Sequence, residues 1–179
     1  MDRPYSDQPH ETPRHDAAPQ SGAAPVIPDF ELIRPIGEGA FGRVWLAVNR
    51  TTQSVRAVKL IPLASPGHAK PAARELTSLR RLEQCIERKH PNLIMIHHVG
   101  RTDDYLYYVM DPADNLSGDP ILPDASYTPC TLERRLRFGP LDTDRCIEYA
   151  EQLLSALASL HEAGMVHRDV KPSNCLIVD

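Results

Sequence analysis

Three glycines inside an otherwise strand-like stretch restrict most strongly how this chain can fold. Gly37, Gly39 and Gly42 spell GEGAFG within FELIRPIGEGAFGRVWLAV. A dinucleotide-binding turn would need a helix directly after its glycines, whereas the Val and Trp of RVWLAV favour a strand. The stretch therefore predicts two strands joined by a flexible turn, whose backbone N–H groups can approach phosphate oxygens. A phosphate-covering flap and an ordinary structural turn both remain open from this feature alone.

Further along the chain, alternating and helical patterns predict more elements. RAVKLI reads as a third strand, and LIMIHHVG and YLYYVMD read as two more strands around the turn-like RTDD. We expect one helix from Pro71 to about Glu87 and a short one at TLERRLR. A long helix is predicted from Asp142 or Thr143 to Ala163, with Gly164 in the position of a left-handed stop. Its apolar residues recur every three or four positions, at Ile147, Ala150, Leu153, Leu154, Leu157 and Leu160.

Composition excludes several classes of protein. The net charge of −4 argues against a dedicated nucleic-acid binder. The sequence contains no apolar run of about eighteen residues, so we expect no membrane segment, and MDRPYSDQPH lacks the apolar centre of a secretory signal. The four cysteines form no CxxC pair, which favours reduced thiols in the cytoplasm over a metal site or disulfides; they are Cys85, Cys130, Cys146 and Cys175.

The chain divides into four parts. Residues 1–28 are proline-rich and polar, and they predict a disordered tail because they can bury little apolar surface. Residues 29–111 carry the predicted strands and the first helix. Residues 112–130 are polar and contain several prolines, which indicates a surface loop or insertion. Residues 131–179 carry the later helices and a polar loop.

A lysine on the third strand has a candidate partner on the first helix. Strand alternation puts Lys59 on the same face as Val55, Ala57 and Ile61. Glu75 heads an apolar helical stripe, and an unpaired carboxylate turned inward is costly. Two unit charges about 4 Å apart gain roughly 4 kcal/mol near a protein surface, so we expect a Lys59–Glu75 ion pair. The alternatives are a lysine that reaches solvent and a solvated Glu75.

The stretch VHRDVKPSN combines a carboxylate, an ammonium group and an amide at fixed offsets. Asp169 can act as a general base or orient a nucleophile, and Lys171 can neutralise charge on a transferring group. Asn174 offers a neutral oxygen ligand that suits Mg²⁺ beside phosphates. Phosphoryl transfer needs this combination, because its catalysis is mostly positioning and charge stabilisation.

Taken together, these motifs resemble eukaryotic-type (Hanks-type) serine/threonine protein kinases, with a bacterial-looking insertion. GEGAFGRV matches GxGxxGxV, RAVK resembles VAIK, and HRDVKPSN matches HRDxxxxN; RELTSLRRL and HPNLI resemble the intervening segments. The resemblance implies an α+β fold, with an antiparallel N-lobe sheet and one main helix in residues 29–111. Residues 112–130 would form the hinge and an inserted loop. Residues 131–179 would form part of a helical C-lobe.

The resemblance also implies an ATP site. The three glycines would cover the phosphates, and Lys59 would hold the α- and β-phosphates with Glu75 as its partner. The hinge would span residues 111–113, and Ala113 would donate its N–H because Pro112 has none. Adenine would meet an apolar pocket and the hinge, formed by Ile36, Val44, Ala57, Met110, Asp111 and Ala113.

For catalysis, the resemblance implies that Asp169 accepts or orients the proton of a protein Ser/Thr hydroxyl. Lys171 would stabilise the γ-phosphate, and Asn174 would ligate Mg²⁺. ATP, Mg²⁺ and a protein substrate are the implied cofactors and partners.

One departure from the family pattern limits this expectation. The family's DFG aspartate has no counterpart in these residues, because Asp179 follows Asn174 too closely and no Phe-Gly follows it. We therefore expect weak or no phosphate transfer by these 179 residues alone. We also expect Leu153, Leu157 and Leu160 to form an exposed stripe that a partner could cover. A non-catalytic nucleotide-binding or interaction module and a non-functional gene fragment remain alternatives.

Overall fold

The computed structural model describes residues 24–39, 42–63, 76–77 and 90–178. Most of the predicted helix from Pro71 to Glu87 lies outside these residues, although Leu76 and Thr77 are helical. Most of the predicted tail also lies outside them. Ile27, which falls inside the predicted tail, is only 1% exposed, so apolar packing begins before residue 28.

Five strands form one antiparallel sheet, as predicted. They are β1 (Phe30–Gly39), β2 (Gly42–Asn49), β3 (Val55–Pro62), β4 (Ile96–Arg101) and β5 (Tyr105–Met110). Their order across the sheet is β1-β2-β3-β5-β4, and every neighbouring pair is antiparallel. Strand β4 begins three residues later than predicted from the apolar run at Leu93, because residues 91–93 form a turn in which Leu93 N–H donates to the His90 carbonyl.

Both faces of the sheet are packed, because successive residues of a strand point to opposite faces. We call the buried set on one face the Met110 cluster; it contains Ile36, Leu46, Ala57, Ile61, Leu106, Tyr108, Met110 and Tyr127. We call the set on the other face the Val58 cluster; it contains Ile27, Leu32, Ala47, Val58, Leu60, Tyr107 and Val109. All but two of these residues lie on the five strands, so the sheet supplies most of the protein's described core.

The helices begin where their capping residues predict. Helix α1 (Leu132–Leu136) follows Thr131, whose Oγ1 accepts from Arg134 N–H at 3.2 Å. Helix α2 (Thr143–Glu162) follows Asp142, whose carboxylate accepts from Arg145 N–H at 2.8 Å. After α2, Gly164 takes a φ of +69° and closes the helix as its position predicts.

The predicted apolar stripe on α2 differs from expectation in one respect. Leu160 is buried at 6% exposure, and Leu153 and Leu157 are half-buried. All three line a cavity of about 700 Å³ between α2, residues 90–96 and residues 174–178. The large exposed apolar side chains of α2 are instead Ile147 and Leu154, since their side of the helix faces away from these segments.

Helix α2 is joined to the turn before β4 by polar contacts. His90 Nε2 and Ser155 Oγ lie 3.1 Å apart, and Asn92 Nδ2 donates to the Gln152 carbonyl at 3.3 Å. None of the helices that the structure describes has the length and apolar character needed to cross a bilayer.

Candidate functional site

The glycine-rich segment joins β1 to β2 as a hairpin, with Gly39 paired to Gly42. A strand rather than a helix follows the glycines, which excludes the dinucleotide-binding form of the motif, as predicted. Gly42 has a φ of +148°, and a Cβ there would overlap the Leu60 carbonyl oxygen. A side chain at this position is therefore excluded on two grounds. At Gly39 the nearest atom to an added Cβ is 4.0 Å away, so that position does not require glycine for lack of space.

Lys59 lies in the centre of the sheet, paired with Val44 on β2 and Tyr108 on β5. Its Nζ is 5.4 Å from the centre of the Tyr108 ring, within the range of a cation–π contact. Alternation places Lys59 on the face of the Met110 cluster, beside Ala57 and Ile61. Glu75 is outside the described residues, so the Lys59–Glu75 pair stays a prediction.

Residues 111–113, directly after β5, form the predicted hinge. The Asp111 carboxylate is engaged elsewhere: it lies 2.7 Å from His97 Nε2 and 4.0 Å from Arg56 Nε. Met110 and Ala113 are both buried. The Asp111 carboxylate is therefore held by His97 and Arg56 at the edge of the sheet.

Residues 175–177, which follow the HRD stretch, are hydrogen-bonded to the segment after β5 and to the residues around the start of α1. Asp114 N–H donates to the Ile177 carbonyl at 3.0 Å, and Ile177 N–H donates to the Cys130 carbonyl at 2.9 Å. Leu132 N–H donates to the Cys175 carbonyl at 2.9 Å. These bonds hold residues 175–177, which directly follow the polar loop of residues 167–174, against Asp114, Cys130 and Leu132.

The structure brings Asp169, Lys171 and Asn174 into one cluster. Lys171 Nζ lies 3.0 Å from Asp169 Oδ1. Asn174 Nδ2 donates to both the carbonyl and Oδ2 of Asp169, at 2.8 Å each. The 3-10 turn Pro172–Asn174 brings Asn174 back towards Asp169, and His167 Nδ1 accepts from Asp169 N–H at 3.3 Å.

These contacts set the charge of the cluster. Hydrogen bonding from Lys171, and then from Asn174, lowers the pKa of Asp169 below its usual value. The carboxylate is thus ionised at neutral pH and is a weak base. It is exposed, so a hydroxyl group from another molecule can reach it.

Backbone strain is present beside this cluster. Arg168 takes a φ of +65°, which is uncommon for a residue with a Cβ and costs of order 1–3 kcal/mol. Such strain is retained where the surrounding contacts determine the conformation. Here it lies between His167, which caps Asp169 N–H, and the Asp169 carboxylate itself.

Sequence reasoning missed Tyr127, which lies in the polar stretch taken as a surface loop. Its ring is fully buried in the Met110 cluster, and its hydroxyl donates to the Ala113 carbonyl at 2.9 Å. Burial raises the pKa of Tyr127 to about 12. The available signal was a large aromatic residue in an otherwise polar, proline-containing segment.

The family model for the protein kinase domain matches residues 30–179. The chain belongs to the protein kinase family. The kinase domain is 34% identical over 152 residues to serine/threonine-protein kinase ppk31 of Schizosaccharomyces pombe. The aligned region covers 84% of this chain and 13% of that protein.

Other relatives carry serine/threonine kinase names as well. The chain is 33% identical over 169 residues to CBL-interacting serine/threonine-protein kinase 7 of Arabidopsis thaliana, covering 92% of this chain and 35% of the relative. It is 31% identical over 159 residues to serine/threonine-protein kinase Sgk1 of Danio rerio, covering 89% of this chain and 33% of that relative. By family the domain is a protein serine/threonine kinase, and it spans about a third or less of the length of these relatives.

Proposed function

We propose that this kinase domain binds ATP between the Met110 cluster and the Asp169 loop and that, together with the family's downstream segments, it transfers the γ-phosphate to a Ser or Thr hydroxyl of a protein. The observation that carries the proposal is the Asp169–Lys171–Asn174 cluster, in which Lys171 Nζ and Asn174 Nδ2 lie 3.0 and 2.8 Å from the Asp169 carboxylate oxygens. A carboxylate, an ammonium group and an amide at one exposed point supply the positioning and charge stabilisation that phosphoryl transfer needs.

In this proposal the sheet holds the nucleotide. The Gly37–Gly42 hairpin covers the phosphates, because its backbone N–H groups can approach oxygens where glycine leaves space. Lys59 is directed to the α- and β-phosphates from the centre of the sheet. Adenine is placed against the apolar residues Ile36, Val44, Ala57 and Met110 and against the backbone of residues 111–113.

The acceptor hydroxyl is placed at Asp169. Its carboxylate is ionised and exposed, so it orients the hydroxyl and accepts its proton while the bond to the γ-phosphorus forms and the bond from that phosphorus to the leaving ADP oxygen breaks. Lys171, which now contacts Asp169 Oδ1, is close enough to stabilise charge on the transferred group. The positive φ of Arg168 directs the chain so that the Asp169 carboxylate lies beside both partners.

The residues present fit a Mg²⁺ ion in part. Asn174 uses its Nδ2 to hold Asp169, which leaves the amide oxygen Oδ1 as a neutral ligand. Mg²⁺ is usually bound by one or two carboxylates together with substrate phosphates, and Asn174 and Asp169 supply oxygen ligands of these kinds. The ion, when bound, neutralises phosphate charge.

We also propose that the domain works in the cytoplasm. The three cysteines within the described residues, Cys130, Cys146 and Cys175, form no disulfide. Reduced thiols are typical of that compartment.

Nucleotide binding tests the proposal most directly. Titration of residues 1–179 with a fluorescent ATP analogue and Mg²⁺ should show saturable binding, and Lys59→Met should weaken it by about tenfold or more, because a charge-assisted contact to phosphate is lost. Arg50→Met, at an exposed turn, is the matched control and should bind like the wild type. Equal affinity in Lys59→Met and wild type would remove Lys59 from the site.

A second assay separates kinase from binding module. A longer chain that includes the family's downstream segments should phosphorylate dephosphorylated casein, and Asp169→Ala should abolish that activity. Nucleotide binding with no transfer in the longer chain would favour the non-catalytic alternative.

A further inference from the structure

The insertion after β5 closes on itself at its base. Its base is closed by Leu116 N–H donating to the Thr128 carbonyl at 2.8 Å and Cys130 N–H donating to the Asp114 carbonyl at 2.8 Å. Thr128 N–H also donates to Asn115 Oδ1 at 3.1 Å. We call residues 116–129 the hinge insertion; it is a compact loop whose ends meet.

Most of the hinge insertion is exposed, but Tyr127 is fully buried. Tyr127 belongs to the Met110 cluster, the same buried set that contains Ile36, Ala57 and Met110. These are the apolar residues that the proposed function assigns to adenine. Ile121, from the same insertion, packs against this cluster as well.

The polar contact of Tyr127 is also made at the proposed adenine edge. Its hydroxyl donates to the Ala113 carbonyl at 2.9 Å, on the residue proposed to meet the adenine edge through its backbone. A phenol ring with one donor against that backbone provides the two features a purine would use there, an aromatic face and a polar edge.

A strand residue holds the insertion in place. Arg34 on β1 donates from Nε to the Asp124 carbonyl at 3.1 Å, and its guanidinium also donates to the Tyr127 carbonyl. Asp124 itself is held by Ser126, whose N–H and Oγ both contact the Asp124 carboxylate. The contact therefore links the insertion to the strand that carries Ile36 and Gly37.

The docked arrangement carries a cost. Asn115, at the base of the insertion, is 5% exposed, yet within the described part of the chain its Nδ2 has no hydrogen-bond partner. A buried donor without an acceptor destabilises the state that buries it. Release of the insertion from the sheet would let water reach this group, so the unsatisfied Nδ2 offsets part of the stability that the docked contacts provide.

We propose that the hinge insertion is an intramolecular plug, in which the Tyr127 ring takes the space that the adenine of ATP needs. The inference rests on the proposed function, because it takes the Met110 cluster as the adenine site. ATP binds only when Tyr127 leaves the cluster and breaks its bond to Ala113. The measured affinity is then the intrinsic affinity reduced by the fraction of molecules with the pocket open.

Chemical nitration of the unaltered chain tests the plug without a mutation. Tetranitromethane modifies exposed tyrosines, and peptide mass spectrometry reports each site separately. Without nucleotide, Tyr127 should be nitrated slowly. With saturating MgADP its rate should rise by about fivefold or more, because the ring is displaced. Tyr149 on α2 serves as the internal reference, and its rate should not change.

Variants give an independent measurement of the same plug. Tyr127→Ala should tighten MgADP binding by about tenfold, and Tyr127→Phe should tighten it by about twofold to threefold, because only the bond to Ala113 is lost. Arg34→Gln keeps the ring and weakens only its anchor, so it also tests the plug if Tyr127→Ala proves unstable. It should tighten binding, whereas Arg50→Gln should not.

The outcomes separate the two proposals. Saturable MgADP binding with Tyr127 still protected from nitration would overturn the plug and leave the nucleotide site intact, with Tyr127 as a fixed wall. No binding by the wild type or by any of these variants would overturn both. Tighter binding in Tyr127→Ala together with nucleotide-induced nitration of the wild type supports both.

Discussion

The five-stranded sheet and the helical segment after it bury their side chains to very different extents. Strands β1, β2, β3 and β5 carry nearly all of both buried clusters, whereas residues 131–178 contribute only Thr131, Ala156 and Leu160 to the buried set. The exposed Asp169 loop holds its shape through local polar contacts. The difference indicates that the sheet holds the proposed nucleotide site by apolar packing, and that the proposed catalytic loop relies on short-range hydrogen bonds.

Truncation of matched leucines should show the largest effect of this difference. Leu46 is fully buried on β2, and Leu154 is 66% exposed on α2. Leu46→Ala should lower the free energy of unfolding by about 2–5 kcal/mol, because it loses burial and leaves a cavity. Leu154→Ala should change it by about 0.5 kcal/mol or less. Urea denaturation followed by circular dichroism measures the free energy of unfolding of both variants. Equal losses would show that the sheet and the helical segment are packed alike.

Alkaline pH should give the next largest effect, through the buried Tyr127. Its pKa is raised to about 12 from an ordinary value of 10.0, so its contribution to stability is complete below pH 10. The contribution should be lost as the pH rises from 10 to about 12, and the full loss is about 2–3 kcal/mol. Urea midpoints measured across this range should fall more steeply in the wild type than in Tyr127→Phe.

Tyr149→Phe is the control for this alkaline effect. It leaves the Tyr127 hydroxyl in place and should keep the steep fall of the wild type. If Tyr127→Phe falls just as steeply, the Tyr127 hydroxyl is not buried against the sheet in solution.

The exposed Asp169 loop should give the smallest effect, a local change in the titration of the Asp169 carboxyl group. Hydrogen bonds from Lys171 and Asn174 lower the pKa of Asp169 below 3.8, so the folded protein favours the ionised carboxylate. The associated stability is present above the ordinary pKa and is lost as the pH falls through the lowered one. Carbon-13 NMR of the Asp169 carboxyl group should report a pKa below 3.8.

Lys171→Met should raise that pKa towards the ordinary value, because Lys171 makes the largest contribution to the shift. Arg145→Met, which removes an exposed ion pair with Glu148 on α2, should leave the titration of Asp169 unchanged. A normal pKa in the wild type would show that the cluster is open in solution.

Much of the fold could be predicted from local pattern. Alternation and β-branched residues located all five strands, and Asp142 and Gly164 located the ends of α2. The HRD stretch predicted that Asp169, Lys171 and Asn174 would act together, and the 3-10 turn between them brings their side chains into contact. Asn174 follows Asp169 by only five positions, so local geometry was sufficient.

Burial of individual side chains could not be read in the same way. Leu160 and Leu154 fit the same helical pattern, yet one is buried and the other is exposed. Ile27 lies in a proline-rich polar stretch and still packs into the Val58 cluster. In each case the partner surface comes from a segment distant in sequence, which periodicity along one element does not specify.

The amino-acid sequence by itself determined the strands, the helix ends, the glycine hairpin and the composition of the HRD loop. These depend on backbone conformation and on contacts within a few residues, which local chemistry specifies. Only the tertiary structure decided that Tyr127 leaves a polar insertion to enter the Met110 cluster and bond to Ala113. That outcome depends on the apolar surface that five separate strands present together, and this surface exists only once the sheet has formed.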